Sequence, residues 1–169
     1  MDHAFAIPWP TAALATSSGD AAFAAELSVV SLLDGVIGDP VTWIDQPGPS
    51  AGDGRGPTRR AREFRSVAED IRAHLPDGAV VVHGAGSNLA LIRRILPLWQ
   101  PAMVLDTLSL AKRAGLTPSW GPCTLDNPDP NSGSCGAAGR ALATARLLLR
   151  LTDALPGLGF AESSVSHPA

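Results

Sequence analysis

Apolar residues in the first part of the chain are grouped in short runs of the length of β-strands, separated by polar turns. Apolar runs from Ala12 to Thr16 and from Leu27 to Leu33 flank a polar turn at 17–20, and together they predict a β-hairpin. Asp34-Gly35 is a turn signal after the second run, and Val41 to Ile44 predicts a third strand at the edge of the sheet. The pattern therefore predicts three consecutive strands.

The middle of the chain predicts strands and helices in alternation. Ala79 to Val82 has the composition of a buried strand, and after His83 the small residues Gly84 to Gly86 form a turn. Met103 to Leu105 predicts another strand, which ends at Asp106-Thr107 and enters a second helix. The first of these helices carries apolar residues at helical spacing: Leu89, Ile92 and Leu96. Such alternation is typical of a parallel α/β sheet.

Two further helices and two loops complete the predicted elements. A helix from Thr58 to Leu75 has an apolar face made of Phe64, Val67, Ala68, Ile71 and Leu75. Its opposite face carries four arginines, which we interpret as a solvated surface, with a phosphate-binding patch as the alternative: Arg59, Arg60, Arg62 and Arg65. The last helix runs from Ala137 to Leu155, and segments 46–57 and 115–136 are rich in Gly and Pro and predict surface loops.

These elements fit one domain with short extensions. We place an irregular lead-in at 1–10, the folded domain at 11–155 and a flexible tail at 156–169. The chain has 169 residues, 45% hydrophobic and 17% charged, which suits one soluble domain with a core. Its formal net charge of −3 provides no overall basic field for nucleic acid. Because we find no membrane-length apolar run and no signal peptide, we expect a cytoplasmic protein without membrane contact.

Three stretches resemble the motifs of a nuclease family. His83-Gly-Ala-Gly-Ser-Asn88-Leu is followed by Val104-Leu-Asp106-Thr107-Leu-Ser-Leu-Ala-Lys-Arg113. These are similar to His-Asn-Ala-x-Phe-Asp and Asp-Thr-Leu-x-Leu-Ala-Arg in DnaQ-type 3′→5′ exonucleases of the DEDDh group. Ala143 to Leu151 resembles the helix of the third motif in that family. The resemblance covers residues 11 to 155 and implies a ribonuclease-H-like, three-layer α/β fold with a mixed five-stranded sheet flanked by helices.

The positions that hold catalytic groups in this family carry other residues here. Aligned on the family motifs, the first two metal-binding carboxylates fall on Leu14 and Thr16, and Asn88 stands in place of the third. Arg140 takes the place of the fourth carboxylate, and Cys135 replaces the histidine that acts as general base. The framework of the family is therefore present without its catalytic side chains.

These replacements argue against a two-metal site. In the family, carboxylates hold two divalent ions that activate water and stabilise the leaving oxygen. Magnesium prefers anionic oxygen ligands, and none of the four replacements provides one. Arg140 would also place a positive charge where a cation binds, and two unit charges about 4 Å apart repel by roughly 4 kcal/mol at an effective dielectric of about 20. We therefore expect no metal and no cofactor, and residual 3′→5′ exonuclease activity is the least favoured hypothesis.

Two other hypotheses remain for the function. The first is a pseudo-exonuclease that binds a ligand, such as single-stranded nucleic acid or a nucleotide, without hydrolysing it. Its ligand pocket would be lined by Leu14, Thr16, Asn88, Cys135 and Arg140. The alternative is a metal-independent enzyme that acts on a small molecule in a biosynthetic pathway, with His83, Cys135 and Asp106 as candidate catalytic residues. A protein partner or a homodimer is a third use of the same fold.

Each candidate residue also has a purely structural interpretation. His83 fits a hydrogen-bonded structural histidine as well as a general base, and Cys135 fits an inert small residue at the start of a helix. Arg140 either binds a ligand or pairs with Asp106 or another acid. Asp106 is a natural cap for the helix that follows it. Only the contacts of these side chains can decide between the alternatives.

Overall fold

Seven strands form two sheets in the computed structural model of the chain, which describes residues 5–7, 10–18, 25–45, 64–115, 136–155 and 157–160. The strands are β1 (Phe5–Ile7), β2 (Thr11–Ser18), β3 (Ala25–Leu33), β4 (Val36–Asp45), β5 (Ala79–Val82), β6 (Met103–Asp106) and β7 (Leu158–Phe160). The main sheet has the order β4-β3-β2-β5-β6, and β1 pairs with β7 in a small separate sheet.

The main sheet is mixed. β2, β3 and β4 pair antiparallel, whereas β2, β5 and β6 run parallel to one another. The turn between β3 and β4 contains Asp34 and Gly35, both with positive φ, as a tight hairpin turn requires. The predicted hairpin and third strand are therefore confirmed, with β4 longer than the sequence pattern suggested.

Helices cover both faces of the sheet. A short 3-10 helix, Phe64–Val67, leads into α1 (Ala68–His74), and three further α-helices are described: α2 (Ala85–Ile95), α3 (Thr107–Arg113) and α4 (Ala137–Ala154). No helix among the described residues is both long and apolar enough to cross a membrane.

The core has one layer on each face of the sheet. On one face, the strands pack against α1 and α2 through residues that include Leu14, Leu27, Val80, Val82, Ile71 and Ile92. On the other face they pack against α3, α4 and the small sheet through residues that include Ala13, Val30, Val81, Leu105, Ala145 and Leu148. Because successive residues of a strand point to opposite faces, β5 contributes alternately to the two layers. The protein is thus a mixed α/β domain with helices on both sides of a five-stranded sheet.

The structure differs from the sequence prediction at both ends of the domain. Phe5–Ile7 lies in the predicted irregular lead-in and Leu158–Phe160 in the predicted flexible tail, yet the two segments pair as parallel strands. Ile7 is fully buried in the layer beside α4. Strands of three residues are too short to show alternation, and their partner is distant in sequence, so the pattern could not reveal them.

The helix predicted from Thr58 to Leu75 is, in its described part, a short 3-10 helix followed by an α-helix, and residues 58–63 lie outside the described part of the chain. Residues 64–67 form a 3-10 turn before α1, while Phe64, Ile71 and Leu75 are buried as the apolar face predicts. The two predicted loops lie largely outside the described residues, as do Arg59, Arg60 and Arg62. The other three predicted helices are confirmed, and the last of them, predicted from Ala137 to Leu155, spans Ala137–Ala154.

Candidate ligand-binding site

Five of the residues singled out in the sequence meet at one end of the main sheet. Because β2, β5 and β6 are parallel, their carboxyl ends lie together. Thr16 lies near the end of β2, His83 follows β5, and Asp106 ends β6. Asn88 lies near the start of α2 and Arg140 near the start of α4. We call these five residues the strand-end site.

Asn88 ties α2 to the end of β2. Its Oδ1 accepts hydrogen bonds from the Thr16 N–H at 2.9 Å and from the Thr16 hydroxyl at 2.7 Å. Its Nδ2 donates longer bonds to the carbonyls of His83, at 3.5 Å, and Gly84, at 3.4 Å. Asn88 is only 7% exposed. The structure therefore brings Thr16 and Asn88 together, but their side chains bind each other and connect two elements of the fold.

Leu14 is a core residue at this end of the sheet. It is fully buried and belongs to the layer that also contains Leu27 and Val80. Its side chain therefore packs in the core layer against α1 and α2 and has no exposed surface that a ligand could contact. Cys135, the other predicted pocket residue, lies outside the described residues.

His83 is held by the first residue of α3. Its Nδ1 lies 3.0 Å from the hydroxyl oxygen of Thr107, which is fully buried and donates its own proton to the carbonyl of Val82 at 3.1 Å. A hydroxyl has one proton, and a carbonyl can only accept, so the Thr107 oxygen must accept from His83. Neutral His83 therefore carries its proton on Nδ1 and its lone pair on Nε2. Burial lowers the pKa of His83 below its ordinary value of 6.5, against the opposing attraction of Asp106.

Asp106 acts as the cap of α3. Its Oδ1 accepts from the backbone N–H of Gly84 at 2.8 Å and of Leu108 at 3.0 Å, and its Oδ2 accepts from the Ser109 hydroxyl at 3.0 Å. Burial raises the pKa of Asp106, but these hydrogen bonds outweigh burial, so the pKa lies below the ordinary value of 3.8. A carboxylate with three donors is well suited to joining β5, β6 and α3 and poorly suited to proton transfer. The capping interpretation of Asp106 is the one these contacts support.

Arg140 has no acidic partner among the described residues. Its exposed guanidinium donates one long bond, at 3.4 Å, from Nη1 to the backbone carbonyl of Thr16. Other charged residues in the described part of the chain do form pairs: Arg72 lies against Asp77, and His74 lies against Asp70. The predicted pairing of Arg140 with Asp106 is therefore absent from these residues, and its charge faces the strand-end site.

Glu26 positions the helix that carries Arg140. Its Oε2 accepts a hydrogen bond from the Ala137 N–H at 3.0 Å, at the start of α4. The preceding residue is Gly136, and a Cβ at that position would lie 3.0 Å from the same oxygen, which is closer than most Cβ contacts. A carboxylate is favoured at a helix N-terminus by the helix dipole. The contact spans 111 positions along the chain, so no local signal in the sequence could identify this role.

Thr107 is the second functional neighbour that the sequence pattern missed. The pair Asp106-Thr107 marks the end of a strand and the start of a helix, which predicts a cap but not a hydrogen bond to His83. One signal in the sequence could have indicated this hydrogen bond. Thr107 comes directly after one predicted strand and His83 directly after the other, and parallel neighbouring strands end side by side.

The residues of the strand-end site do not fit a divalent metal pair. The Oδ1 of Asn88 already accepts two hydrogen bonds from Thr16, and Arg140 contributes a positive charge. Leu14, which the sequence alignment also placed at a metal position, is buried in the core. No group of three His, Cys, Asp or Glu side chains among the described residues is placed to hold a metal ion. We therefore derive no chemistry that depends on a metal at this site.

The cavities formed by described residues lie at the opposite end of the sheet. One is a groove of about 480 Å³ between α1 and the segment that follows α2, lined by residues that include Arg72, Leu96 and Trp99. The other, of about 310 Å³, lies at the start of β2 and is lined by residues that include Thr11 and His74. Neither of these two cavities contains a residue of the strand-end site.

The comparisons with known proteins contribute no family assignment. No protein-family model matches the sequence, and no curated protein matches it at a significant level.

Proposed function

We propose that this chain is a catalytically defective, exonuclease-like protein that binds an anionic ligand, such as single-stranded nucleic acid or a nucleotide, without hydrolysing it. The motif resemblance in the central part of the chain supports this proposal. So does the mixed five-stranded sheet with helices on both faces, which is compatible with a ribonuclease-H-like fold.

The observation that carries the proposal is the state of Arg140. In the described residues its guanidinium has no carboxylate partner and makes only one long bond to a carbonyl. It stands at the carboxyl ends of parallel strands, where ligands bind in open α/β sheets. An arginine at such a place binds phosphate oxygens through several N–H groups at once. The guanidinium of Arg140 therefore provides a positive charge for a ligand at the position where members of the exonuclease family bind metal ions.

A second candidate function is that of a metal-independent enzyme acting on a small molecule. The observation that favours it is His83, whose proton on Nδ1 leaves Nε2 as a base at neutral pH. Its lowered pKa keeps the ring neutral, as a general base requires. Asp106 does not contribute to this function because three donors already engage its carboxylate.

The experiment uses a single-stranded oligonucleotide labelled at its 5′ end, with manganese present. Fluorescence anisotropy measures binding, and gel electrophoresis of the same sample measures the length of the oligonucleotide. We expect binding that weakens with rising salt, because phosphate contacts release counterions. The oligonucleotide should keep its full length.

Two arginine variants provide the matched comparison. Arg140→Gln should weaken binding, whereas Arg94→Gln, which removes the same charge from an exposed position on α2, should leave it almost unchanged. Shortening of the oligonucleotide that EDTA abolishes would refute the loss of nuclease chemistry. Equal effects of the two variants would refute a specific role for Arg140. Absence of binding to both the oligonucleotide and a mononucleotide would favour the small-molecule enzyme instead.

A further inference from the structure

His83 presents one ring nitrogen that the described part of the chain does not use. Nδ1 donates to Thr107, and Nε2 has no hydrogen-bond partner among the described residues. Within the same residues, the one buried side-chain nitrogen or oxygen without a partner is Trp99 Nε1. His83 Nε2 is therefore in contact with solvent. Since the two ring nitrogens point away from each other and Thr107 is fully buried, Nε2 of the half-buried His83 points away from Thr107.

His83 and Arg140 lie on the same face of the sheet. Along β5, Val80 and Val82 pack towards α1 and α2, whereas Val81 packs towards α3 and α4. His83 continues this alternation and contacts Thr107, the first residue of α3. Arg140 belongs to α4 and reaches the end of β2, the strand next to β5. Neighbouring strands lie about 4.8 Å apart, so one small molecule can reach both side chains.

Arg140 and His83 favour different functional groups on one ligand. Arg140 offers N–H donors and a positive charge, and it favours an anionic group. His83 Nε2 in the neutral ring is an acceptor, and it favours a donor group. An ammonium donor would be repelled by Arg140, so the donor that suits both residues is a neutral one, and the hydroxyl group of a phosphate ester is such a donor.

We propose that His83 is a specificity-determining residue and that Nε2 accepts a hydrogen bond from a hydroxyl group of the ligand. The ligand class is a hydroxylated phosphate ester, with the phosphate on Arg140 and the hydroxyl on His83. This inference rests on the proposed function, because it takes the anion site at Arg140 as given. The inference adds the requirement that the ligand carry a hydroxyl group, which binding to Arg140 alone does not impose.

The experiment compares glycerol 3-phosphate with n-propyl phosphate, which share the same carbon chain and phosphate and differ only in hydroxyl groups. The dissociation constant of each probe is measured by NMR titration of the whole chain. We expect glycerol 3-phosphate to bind about three to ten times more tightly, the effect of one neutral hydrogen bond. Long-range proton–nitrogen NMR spectra of the imidazole should show the proton of His83 on Nδ1.

Two His83 variants separate the inner hydrogen bond from the outer one. In His83→Asn, the amide nitrogen takes the place of Nδ1 and keeps a donor for Thr107, but the outer acceptor is lost. In His83→Gln, the amide reaches the place of Nε2 and restores an acceptor there. We expect the preference for glycerol 3-phosphate to vanish in His83→Asn and to return in His83→Gln, while thermal unfolding confirms that both variants fold.

The outcomes distinguish this inference from the function on which it rests. Equal binding of the two probes to the unmodified chain, weakened in Arg140→Gln, would overturn the role of His83 and leave the anion site standing. A proton on Nε2 in the NMR spectra would overturn it as well, and neither result depends on the folding of a His83 variant. Absence of binding by both probes would overturn the anion site and the inference together.

Discussion

Replacing Asn88 by aspartate adds one charge to a side chain that is 7% exposed, without changing its shape. The Thr16 N–H and hydroxyl still donate to the first oxygen, and bonds to a charged group contribute about 1.5–3 kcal/mol each, compared with about 0.5–1.5 for neutral ones. The second oxygen replaces Nδ2 and faces the carbonyls of His83 and Gly84, which have no proton to offer. Burying an ion costs several kcal/mol.

The balance of these contributions is unfavourable at neutral pH. We expect Asn88→Asp to lower the free energy of unfolding by about 1–3 kcal/mol, the cost of an unsatisfied buried polar group. Protonation would return a donor to the second oxygen, so folding raises the pKa of the new carboxyl above its unfolded value of about 3.9. The folded state then binds more protons than the unfolded state, and its stability falls as pH rises through the raised pKa. The deficit should be nearly absent close to pH 4 and largest at pH 7.

Urea unfolding of the variant and the unmodified chain from pH 4 to pH 8 measures this deficit. Gln100→Glu is the matched control, because it makes the same amide-to-carboxylate change on an exposed side chain, where substitutions usually change stability by no more than about 0.5 kcal/mol. If the variant is as stable as the unmodified chain at pH 7, the neutral amide of Asn88 is not required to hold α2 against β2, and this explanation is refuted. Stabilisation of the variant by manganese would show that the site has kept its capacity for metal.

Two other groups of contacts can be tested by the same unfolding experiments. Asp106→Ala should lower stability by about 0.5–2 kcal/mol, because it removes the cap that accepts from Gly84 and Leu108. Since folding lowers the pKa of Asp106, its contribution is present above pH 3.8 and is lost as pH falls through the folded-state value, so the deficit should be constant from pH 4 to pH 8. A deficit that also stays constant when the series is extended well below pH 3.8 would contradict the capping role. Leu148→Ala, at a fully buried position beneath the sheet, should cost about 2–5 kcal/mol. Leu98→Ala, at a position 94% exposed, should change stability by no more than about 0.5 kcal/mol, and equal losses in the two leucine variants would contradict the assigned core.

Elements with strong local patterns could be predicted from the sequence. The hairpin of β2 and β3 follows from two apolar runs around a polar turn, and the strand Ala79–Val82 follows from its uniform apolar composition. The position of His83 after a buried strand also places it correctly at the end of the sheet. In each of these cases, neighbouring residues carry the whole signal.

Contacts between distant segments could not be predicted in this way. The bond between Asn88 and Thr16 joins positions 72 residues apart, and that between Glu26 and Ala137 joins positions 111 apart. The sequence indicated that Asn88 cannot serve as an anionic ligand, but only the structure shows that its amide links α2 to β2. The same holds for Arg140, whose lack of an acidic partner in the described residues is a property of the packed domain.

The pairing of β1 with β7 constrains the order in which the domain can assemble during synthesis. β1 is made before the other described strands, but its partner Leu158–Phe160 is the last of these strands to be made. Ile7 is buried in a layer that also needs Ala141, Ala145 and Leu148 of α4, so its side chain stays uncovered while the rest of the sheet is being translated. The nascent chain therefore leaves apolar residues of this layer uncovered until α4 and Leu158–Phe160 have been made, and this is the interval in which a chaperone would have most to protect.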